Sequence, residues 1–380
     1  MPSETMSALI FDGPNRLRLS AIPRPGVAPG EVLVKVRSST ICGTDVRIVT
    51  GRKVREVRTG HPLGHECAGT VAAVGDGVTS LIVGDRVGLC PVVSCGECEY
   101  CLTEKENLCP RRYTLGYATD GSFAEYMLIP AHAVRRGNLF KLPPEIPLEV
   151  AAILEPLGCC INGQHELGLN DIPAPFGDDP PAPHGDGLRP RKLLIFGAGP
   201  IGILHLLLAK ARSVSEIRSA SNALPPLIRG GCMEEWHVTI VEPRPRRRET
   251  AQRLGADEAC SPEDFKPDAN FDAAILAVGV PELVGLALRA VRKQGRVNLF
   301  AGFDAGAVVT LDPNLIHYGQ IRVTGASESR RRDFAEGLAL AAAGRIDLAA
   351  LLTQRFPLAA HEAAFRAAAD GSALKVAFEF

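Results

Sequence analysis

The stretch RKLLIFGAGPIGILHLLLAKA, from Arg191 to Ala211, decides the fold of this chain. It opens with a short apolar run that predicts a buried strand, turns through three glycines and continues with helical periodicity. Gly197, Gly199 and Gly202 form a G-x-G-x-x-G sequence between that strand and that helix, the context in which the motif binds a dinucleotide. An ordinary glycine-rich turn is the alternative interpretation.

The segments that follow repeat the alternation of strand and helix. The apolar stretches WHVTIVE, FDAAILAVG and GRVNLFAGF are separated by lengths suited to helices, which predicts a parallel, doubly wound sheet. In such a sheet Gly197 permits a tight turn, Gly199 lets a pyrophosphate approach the backbone, and Gly202 allows close packing of helix on strand.

An acidic residue is expected where the second strand ends, and Glu242 stands there. A carboxylate at this place accepts hydrogen bonds from the adenosine ribose and repels a 2′-phosphate, so the sequence favours NAD over NADP. The interval from Gly202 to Glu242 is stretched by an inserted segment. The arginines that follow Glu242 are interpreted as a solvated helix start, with phosphate recognition as the alternative.

The part of the chain before about Glu155 has a different pattern. In GEVLVKVRSS, Val32, Val34 and Val36 occupy every second position, which predicts a half-buried strand. Glycine-rich turns separate several similar runs, so a small β-rich barrel is expected. The terminal ALKVAFEF alternates in the same way and is expected to return as a strand to this barrel.

Composition limits the classes of function. The chain has 380 residues, enough for two domains, and 42 basic against 43 acidic residues give a net charge of −1. This balance, with one Trp and five Tyr, argues against nucleic acid and acidic membranes as partners. Neither a secretory signal nor an apolar run of about 18 residues is found. A cytoplasmic location is therefore expected.

Four cysteines are concentrated between Val92 and Arg112, in VVSCGECEYCLTEKENLCPRR. Their C-x2-C-x2-C-x7-C spacing suits a closed structural zinc site. The eleven cysteines of the chain are an odd number, which fits poorly with a fully paired disulfide framework. Free thiols or local disulfides are the alternative. The predicted structural zinc ligands are Cys95, Cys98, Cys101 and Cys109.

A second group of candidate ligands is dispersed: Cys42 in ICGTD, His65 and Glu66 in GHE, and Glu155 in LEPLGCC. With these residues in view, the chain resembles a zinc-dependent medium-chain dehydrogenase/reductase of the alcohol dehydrogenase superfamily. It is most similar to the sorbitol (L-iditol) and threonine dehydrogenase branch. GHECAGTVAAVGDGV is similar to the family's zinc signature, and EPLGCCING and IHYGQIRVTGAS resemble the polyol branch.

The resemblance implies an α/β protein with a GroES-like β-rich catalytic domain and a doubly wound Rossmann domain that binds the dinucleotide. The expected ranges are 1–155 for the catalytic domain, with the zinc lobe at about 90–112, then 156–328 for the NAD-binding domain. Residues 329–380 return to the catalytic domain. A homodimer or homotetramer follows from the resemblance alone.

The resemblance also implies roles for individual residues. Cys42 and His65 bind catalytic zinc, with Glu66 and Glu155 as further ligands, one of which is displaced at some step. Asp45 holds the His65 ring, and Thr44 takes the proton of a zinc-activated alcohol that gives hydride to the nicotinamide. The cofactor-binding residues implied are Gly197, Gly199, Pro200, Ile201, Gly202, Glu242, Arg247, Val278, Phe300 and Ala301.

One position departs from the family. Arg47 stands where the family often has a histidine that ends the proton relay, and an arginine stays protonated. Water must then complete the relay, or Arg47 contacts cofactor phosphates or an acidic substrate.

Two inserted stretches, about 170–191 and 214–236, precede strands. They are expected to lie away from the chemistry, which in open sheets occurs at the carboxyl ends, and to pack on each other or on a second subunit.

The predicted reaction is hydride transfer between a secondary alcohol of a polyol, sugar or cyclitol and NAD, with a small-molecule alcohol or ketone as the partner. Three alternatives are kept. They are an amino-alcohol dehydrogenase of the threonine type, a carbonyl reductase, and a zinc-stabilised binding or regulatory protein without turnover. The residues leave the substrate and the direction open.

Overall fold

The computed structural model describes residues 4–53, 57–117, 119–172, 190–213 and 236–380. Most of both inserted stretches lies outside the described residues, and the hypothesis about their packing stays a prediction. The described chain forms two compact units, Met1–Cys159 with Glu328–Phe380, and Cys160–Ser327. No helix among the described residues is long and apolar enough to cross a membrane.

The amino-terminal part is built mainly from short strands. Their ranges are β1 (Thr5–Gly13), β2 (Arg16–Pro23), β3 (Val32–Thr40), β4 (His61–Pro62), β5 (Glu66–Val74), β6 (Arg86–Leu89), β7 (Val92–Val93), β8 (Tyr113–Thr114), β9 (Tyr126–Ile129) and β10 (Leu139–Lys141). The strand predicted in GEVLVKVRSS is β3. It buries the expected Val32, Val34 and Val36 and also Leu33, so only Lys35 and Arg37 face solvent.

Five helices belong to this part of the chain: α1 (Gly43–Val49), α2 (Glu99–Leu102), α3 (Ala131–Arg136), α4 (Leu148–Ala151) and α5 (Leu154–Leu167). Helix α1 starts directly after β3 because the Asp45 carboxylate accepts a hydrogen bond of 2.9 Å from the Cys42 amide, satisfying a donor that the helix leaves unpaired. The boundary between the two compact units falls within α5.

The second unit is a parallel sheet with helices in its connections. Its elements are β11 (Arg191–Phe196), α6 (Pro200–Ser213), β12 (Trp236–Val241), α7 (Pro245–Arg253), β13 (Glu258–Cys260), β14 (Phe271–Leu276), α8 (Glu282–Ala290), β15 (Val291–Leu299), α9 (Pro313–Gly319) and β16 (Arg322–Gly325). The strand order is β13-β12-β11-β14-β15-β16, and each neighbouring pair is parallel. The glycine turn therefore follows a central strand, as the sequence predicts.

The chain then returns to the first unit through α10 (Arg331–Ala342), β17 (Leu352–Pro357), α11 (His361–Asp370) and β18 (Lys375–Glu379). Short 3-10 turns lie at Glu106–Leu108, Leu169–Asp171, Ala349–Leu351 and Leu358–Ala360. Strand β18, predicted from ALKVAFEF, pairs antiparallel with β3, with Ala377 opposite Thr40. This register brings the start of β18 to the end of β3, where Cys42 follows.

A packed apolar core supports the loops that carry the candidate ligands. Ile41 and Leu63, which stand close to Cys42 and His65 in sequence, are buried in one cluster with Phe123 and Phe378. The two phenylalanine rings meet edge to face, with centroids 5.1 Å apart. Burial of each such side chain contributes about 1.5–3 kcal/mol, so the ligands stand on a rigid base rather than on a free loop.

Candidate metal centres and dinucleotide site

The first candidate metal centre is built from Cys42, His65 and Glu66. One ligand atom from each side chain lies within 4.8 Å of the other two. Pairing of β3 with β5 places Thr40 opposite Glu66, so the segment that carries Cys42 meets the segment that carries His65. A sulfur, an imidazole nitrogen and a carboxylate oxygen at this separation are a donor set that suits Zn2+.

Gly64 allows this approach. Its φ of +97° lies in the left-handed region, and an added Cβ would lie 2.6 Å from the Phe123 ring. A larger residue would therefore displace either the packed ring or the backbone that presents His65.

The His65 ring is held on both sides. Oδ1 of the fully buried Asp45 lies 3.3 Å from Nδ1 of His65, and the Tyr117 ring meets the imidazole edge-on. Burial alone would lower the pKa of His65, but Asp45 beside it and the Cys42 side chain raise that pKa well above its usual value. The negative groups that raise this pKa also favour a metal cation, which would bind the neutral ring in place of the proton.

Glu66 is fully buried and has two protein partners that sequence reasoning did not identify. Nζ of Lys375 lies 2.6 Å from its carboxylate, and the Thr40 hydroxyl donates a hydrogen bond to Oε2. Burial would lower the pKa of Lys375, yet Glu66 and Cys42 raise it, so the ammonium form is favoured. The one available signal was a lysine at the start of an otherwise apolar strand.

Glu155 lies in the first turn of α5 and is 6% exposed. Burial raises its pKa to about 7, opposed by His65 and reinforced by Glu66, so its carboxyl group belongs to the same electrostatic neighbourhood. Its oxygens are not within the 4.8 Å group that joins Cys42, His65 and Glu66. Cys159 Sγ, one helical turn on, lies 3.5 Å from Glu155 Oε1.

Tyr117 is a member of this neighbourhood that the sequence analysis missed. Its ring meets His65 edge-on, with centroids 5.0 Å apart and an interplanar angle of 68°. Burial, the negative groups Cys42, Asp45 and Glu155, and an opposing hydrogen bond with the Thr44 side chain leave the pKa of the phenol well above its usual value. Thr44, predicted to take the substrate proton, therefore has a phenol as neighbour.

The cysteine lobe forms the second candidate metal centre. Sγ of Cys101 lies 3.8 Å from Sγ of Cys95 and 3.5 Å from that of Cys98, and ligand atoms of all four cysteines lie within 4.8 Å of one another. Disulfide sulfurs lie about 2 Å apart, and these four thiols are free. Sulfurs bound to one tetrahedral Zn2+ with bonds of about 2.3 Å match the observed spacing.

The lobe favours a thiolate at Cys95. At Cys98 a backbone hydrogen bond from Cys101 lowers the pKa, but desolvation and the neighbouring cysteine side chains raise it to about 11. Hydrogen bonds from the backbone at Glu97 and Cys98 lower the pKa of Cys95 to about 6, despite partial desolvation. Nη2 of Arg111 lies 3.2 Å from Cys95 Sγ. Because thiolates are the form that binds zinc, these contacts favour metal binding near neutral pH.

The glycine turn of the second unit has the form expected for a pyrophosphate site. Pro200 and Ile201 open α6 directly after the turn. An added Cβ at Gly202 would lie 1.9 Å from the Gly197 carbonyl oxygen, so glycine is required for the helix to start this close to the strand. If a Cβ were added at Gly199, the nearest atom would be Arg247 Nη1, 3.7 Å away.

Glu242 follows β12 and is buried beside the same turn. Its Oε2 accepts a hydrogen bond of 2.8 Å from the Ala198 amide, and its Oε1 accepts one of 3.1 Å from the Arg244 amide. Burial lowers the pKa of Arg247, and the Glu242 carboxylate opposes that shift. The two side chains therefore interact electrostatically beside the turn. The carboxylate is fixed at the carboxyl edge of the sheet, where the sequence predicts a ribose.

The other predicted cofactor residues lie at the same edge of this sheet. Val278 is 38% exposed in the loop after β14, and the Ala301 amide donates to the Leu276 carbonyl after β15. Phe300 packs edge-on against His205, with centroids 4.6 Å apart. The structure thus brings the predicted residues of the second unit to the carboxyl ends of neighbouring strands.

Comparison with known proteins identifies the family. The alcohol dehydrogenase GroES-like domain matches residues 28–143, and the zinc-binding dehydrogenase family matches residues 230–343. The L-threonine 3-dehydrogenase of Pyrococcus horikoshii is 30% identical over 370 residues, covering 94% of this chain and 92% of that protein. The D-arabitol-phosphate dehydrogenase of Enterococcus avium is 29% identical and covers 99% of this chain and 98% of that protein.

Solved structures agree. Alcohol dehydrogenase TADH from Thermus sp. ATN1 superimposes with a TM-score of 0.80 at 26% identity, covering 98% of this chain and 99% of that chain. The predicted fold class and family are confirmed. The chain belongs to the zinc-dependent medium-chain dehydrogenase/reductase (alcohol dehydrogenase) superfamily, whose members are oxidoreductases that use zinc and NAD(P).

Proposed function

We propose that the protein transfers hydride between a secondary alcohol of a polyol, sugar or cyclitol and NAD. The observation that carries this proposal is the convergence of Cys42, His65 and Glu66, with Thr44 two positions after Cys42 in the chain. Zn2+ held by these three side chains would supply the Lewis acidity that makes an alcohol hydroxyl acidic enough to lose its proton.

The protein residues around the metal prepare the site for that ionisation. Asp45 fixes the orientation of the His65 ring through Nδ1, as carboxylates beside ligand histidines commonly do. Lys375 and Thr40 fix one position of the Glu66 carboxylate and offset part of its charge. Thr44 would accept the proton of the substrate hydroxyl while passing its own hydroxyl proton to water, so it acts as the first member of a relay beside Tyr117.

Glu66 and Glu155 have different roles in this proposal. Glu66 is grouped with Cys42 and His65, so we assign it as the third protein ligand. Glu155, buried in the same neighbourhood, is the carboxylate that alternates with water or substrate. One thiolate and two carboxylates bound together would leave a net charge of −1 with Zn2+ and would weaken its Lewis acidity.

In the second unit, Gly197, Gly199 and Gly202 receive the pyrophosphate at the start of α6, together with Pro200 and Ile201. Glu242 accepts hydrogen bonds from the adenosine ribose, with Arg247 at its side. Val278, Phe300 and Ala301 contact the nicotinamide half. The four cysteines of the lobe hold a structural zinc.

A second candidate is the oxidation of an amino alcohol. It is supported by the 30% identity with a protein named L-threonine 3-dehydrogenase. Both candidates use the same metal centre and differ only in what lies next to the reacting hydroxyl. Reduction of a ketone is the same reaction in reverse.

One experiment tests these proposals together. The zinc-loaded protein is offered a panel of polyols and amino alcohols with NAD and NADP, before and after chelation, while NADH or NADPH formation is followed. We expect NAD-dependent turnover of polyols that chelation abolishes and zinc restores. Turnover that survives complete removal of zinc, or its absence with every alcohol and ketone, would refute the proposal.

We further propose that the enzyme is a homo-oligomer. Strand β16 ends the described six-stranded sheet, and Val323 on it and Tyr318 before it are 40% and 73% exposed. A strand edge with exposed apolar side chains suits pairing with a second copy. Light scattering on the eluting protein measures the mass, and a monomer at micromolar concentration would contradict the proposal.

A cytoplasmic location is also our proposal. Its support is the arrangement of the described cysteines, which form no disulfide and contribute to two groups suited to a metal. Such clusters persist where thiols are kept reduced. Fractionation of the source cells with an antibody to the protein tests the location.

A further inference from the structure

The Tyr117 ring contacts His65 of the first metal centre and Lys53 in the loop after α1. One edge of its ring faces His65, and its phenol interacts with the Thr44 side chain. The residue is only 7% exposed, and its carbonyl accepts a hydrogen bond of 3.1 Å from the Arg58 amide. The ring is therefore a rigid, buried surface next to the place where the substrate hydroxyl is proposed to bind.

Lys53 lies over the face of the Tyr117 ring. Its Nζ is 4.7 Å from the centroid of the Tyr117 ring, and its amide is tied to the Arg47 carbonyl at 3.0 Å. Within the described part of the chain, no carboxylate forms an ion pair with Lys53. A cation–π contact is weak at exposed sites, so an ammonium on an aromatic face keeps most of its capacity for a stronger anionic partner.

The segment that carries Lys53 is strongly basic for this chain. Positions 46–58 read VRIVTGRKVREVR, with five basic residues and one acidic residue, whereas the whole protein has a net charge of −1. Arg58 is already paired with Asp120 at 3.3 Å. Among the described residues of this segment, Lys53 is the cation that lies over the Tyr117 ring, the ring that meets His65 edge-on.

We propose that Lys53, seated on Tyr117, binds an anionic group of the substrate, so that the preferred substrates are polyhydroxy compounds bearing a carboxylate or a phosphate. The proposal rests on the function proposed above and narrows its substrate class. The reacting hydroxyl lies at Thr44 and the metal centre, and the anionic group lies one tyrosine ring away at the Lys53 ammonium. A charge-assisted hydrogen bond there discriminates against neutral polyols.

The contact with Tyr117 explains how one lysine serves this role. A lysine side chain has four methylenes and a flexible ammonium, so without a packing partner its ammonium samples many positions. Packing on the aromatic face holds the ammonium in place before the substrate arrives, which reduces the ordering cost of binding.

The test compares Lys53→Met, Lys53→Arg and the neighbouring Arg52→Met with the parent enzyme. The Arg52 side chain donates a hydrogen bond to the Thr50 hydroxyl and does not lie on the Tyr117 ring in the described structure, so its variant removes the same charge without altering the ring. Substrates are D-arabitol, D-arabitol phosphate and the corresponding five-carbon aldonate, with saturating NAD. Zinc content and thermal unfolding of each variant verify that it is folded.

We expect the parent to prefer the phosphate or the aldonate, with a preference that falls as salt is added. In Lys53→Met the ratio of kcat/KM for the anionic over the neutral substrate should fall about 10- to 100-fold, mainly through KM. Lys53→Arg should keep most of the ratio and Arg52→Met nearly all of it. Preference for the phosphate but not the aldonate, or the reverse, identifies which oxyanion is bound.

Three results would overturn the proposal: a parent that prefers the neutral pentitol, a ratio unchanged in Lys53→Met, or a loss that appears in the KM for NAD with every substrate. If the zinc-loaded parent oxidises no alcohol, the proposed function fails instead. Calorimetry with D-arabitol phosphate then decides separately, because Lys53-dependent heat of binding supports the recognition role and its absence refutes it.

Discussion

Oδ1 of Asp45 lies 3.3 Å from Nδ1 of His65, and both side chains are buried at the first metal centre. The same carboxylate also accepts the Cys42 amide through Oδ2, so one residue fixes two of the three ligand-bearing segments.

Replacement of Asp45 by Asn keeps the shape of the side chain and removes its charge. We expect the zinc affinity of this centre to fall about 10- to 100-fold, because an uncharged partner makes His65 a weaker ligand. Competition with a chromophoric chelator measures the affinity. Asp120→Asn, an exposed carboxylate elsewhere in the first unit, is the control, and equal affinities for both variants would contradict the role of Asp45.

Replacement of Lys375 by Met leaves the Glu66 carboxylate buried without its ammonium partner. Loss of one member of a buried pair costs about 3–5 kcal/mol. The free energy of unfolding of the protein, measured after a chelator has removed its zinc, should therefore fall by about that amount. Denaturant unfolding measures it. Lys375→Arg should retain most of the stability, and Glu66→Gln combined with Lys375→Met should recover part of it. A Met variant as stable as the Arg variant would disprove the coupling.

Replacement of Cys98 by Ser removes one thiolate from the cysteine lobe. The protein should lose about one zinc ion per chain and unfold at a lower temperature, since structural zinc contributes directly to folding. Atomic absorption and calorimetry measure both quantities. Cys260→Ser changes a cysteine outside both metal clusters and should keep the full zinc content. Unchanged zinc in Cys98→Ser would exclude a zinc site in the lobe.

Replacement of Glu242 by Ala should lower the affinity for NADH relative to that for NADPH about tenfold. The ribose loses a charged acceptor, and the repulsion of a 2′-phosphate disappears. Fluorescence titration of the two reduced cofactors measures the ratio. Glu242→Gln keeps an acceptor and removes the charge, so it should shift the ratio less. Glu249→Ala, on the surface of α7, should not shift it, and an unchanged ratio in the Ala variant would contradict the assignment.

His205 predicts a dependence of stability on pH. It is fully buried in α6, neither ring nitrogen has a hydrogen-bond partner in the described structure, and burial lowers its pKa to about 3. The unfolded chain binds a proton near pH 6.5 and the folded chain does not, so stability falls as pH decreases from about 6.5 toward 3.

The slope from this residue is about 1.4 kcal/mol per pH unit below pH 6.5. His205→Leu should remove that slope and narrow the difference in stability between about pH 5 and pH 7. Thermal unfolding of parent and variant across this range measures it. Parallel pH profiles for the two proteins would show that His205 does not contribute.

Much of the site could be predicted because its signals are local. The glycine turn needs three small residues at fixed spacing, and the cysteine lobe needs four thiols within fifteen positions. His65 and Glu66 stand in a stretch similar to the family's zinc signature, and Cys42 stands in the short motif ICGTD. Their predicted roles are still proposals, while the fold class and the family are confirmed.

Other members of the site could not be predicted, because strand pairing and loop packing bring them from distant parts of the chain. Thr40 and Lys375 reach Glu66 only through the register of β3 with β5 and β18. Tyr117 and Lys53 stand in stretches with no catalytic motif, and their contact with each other depends on how two loops fold over one core. A single lysine or tyrosine has no periodic signature.

The pairing of β18 with β3 has a consequence for biosynthesis. Glu66 and Lys375 are separated by 309 positions, and a ribosome adds about 5–20 residues per second. Roughly 15–60 s therefore pass between emergence of the acidic pocket and arrival of its counter-ion. During that interval the nascent chain presents thiolate, imidazole and carboxylate without their lysine, a state in which the pocket's excess negative charge favours capture of a metal cation before the barrel closes.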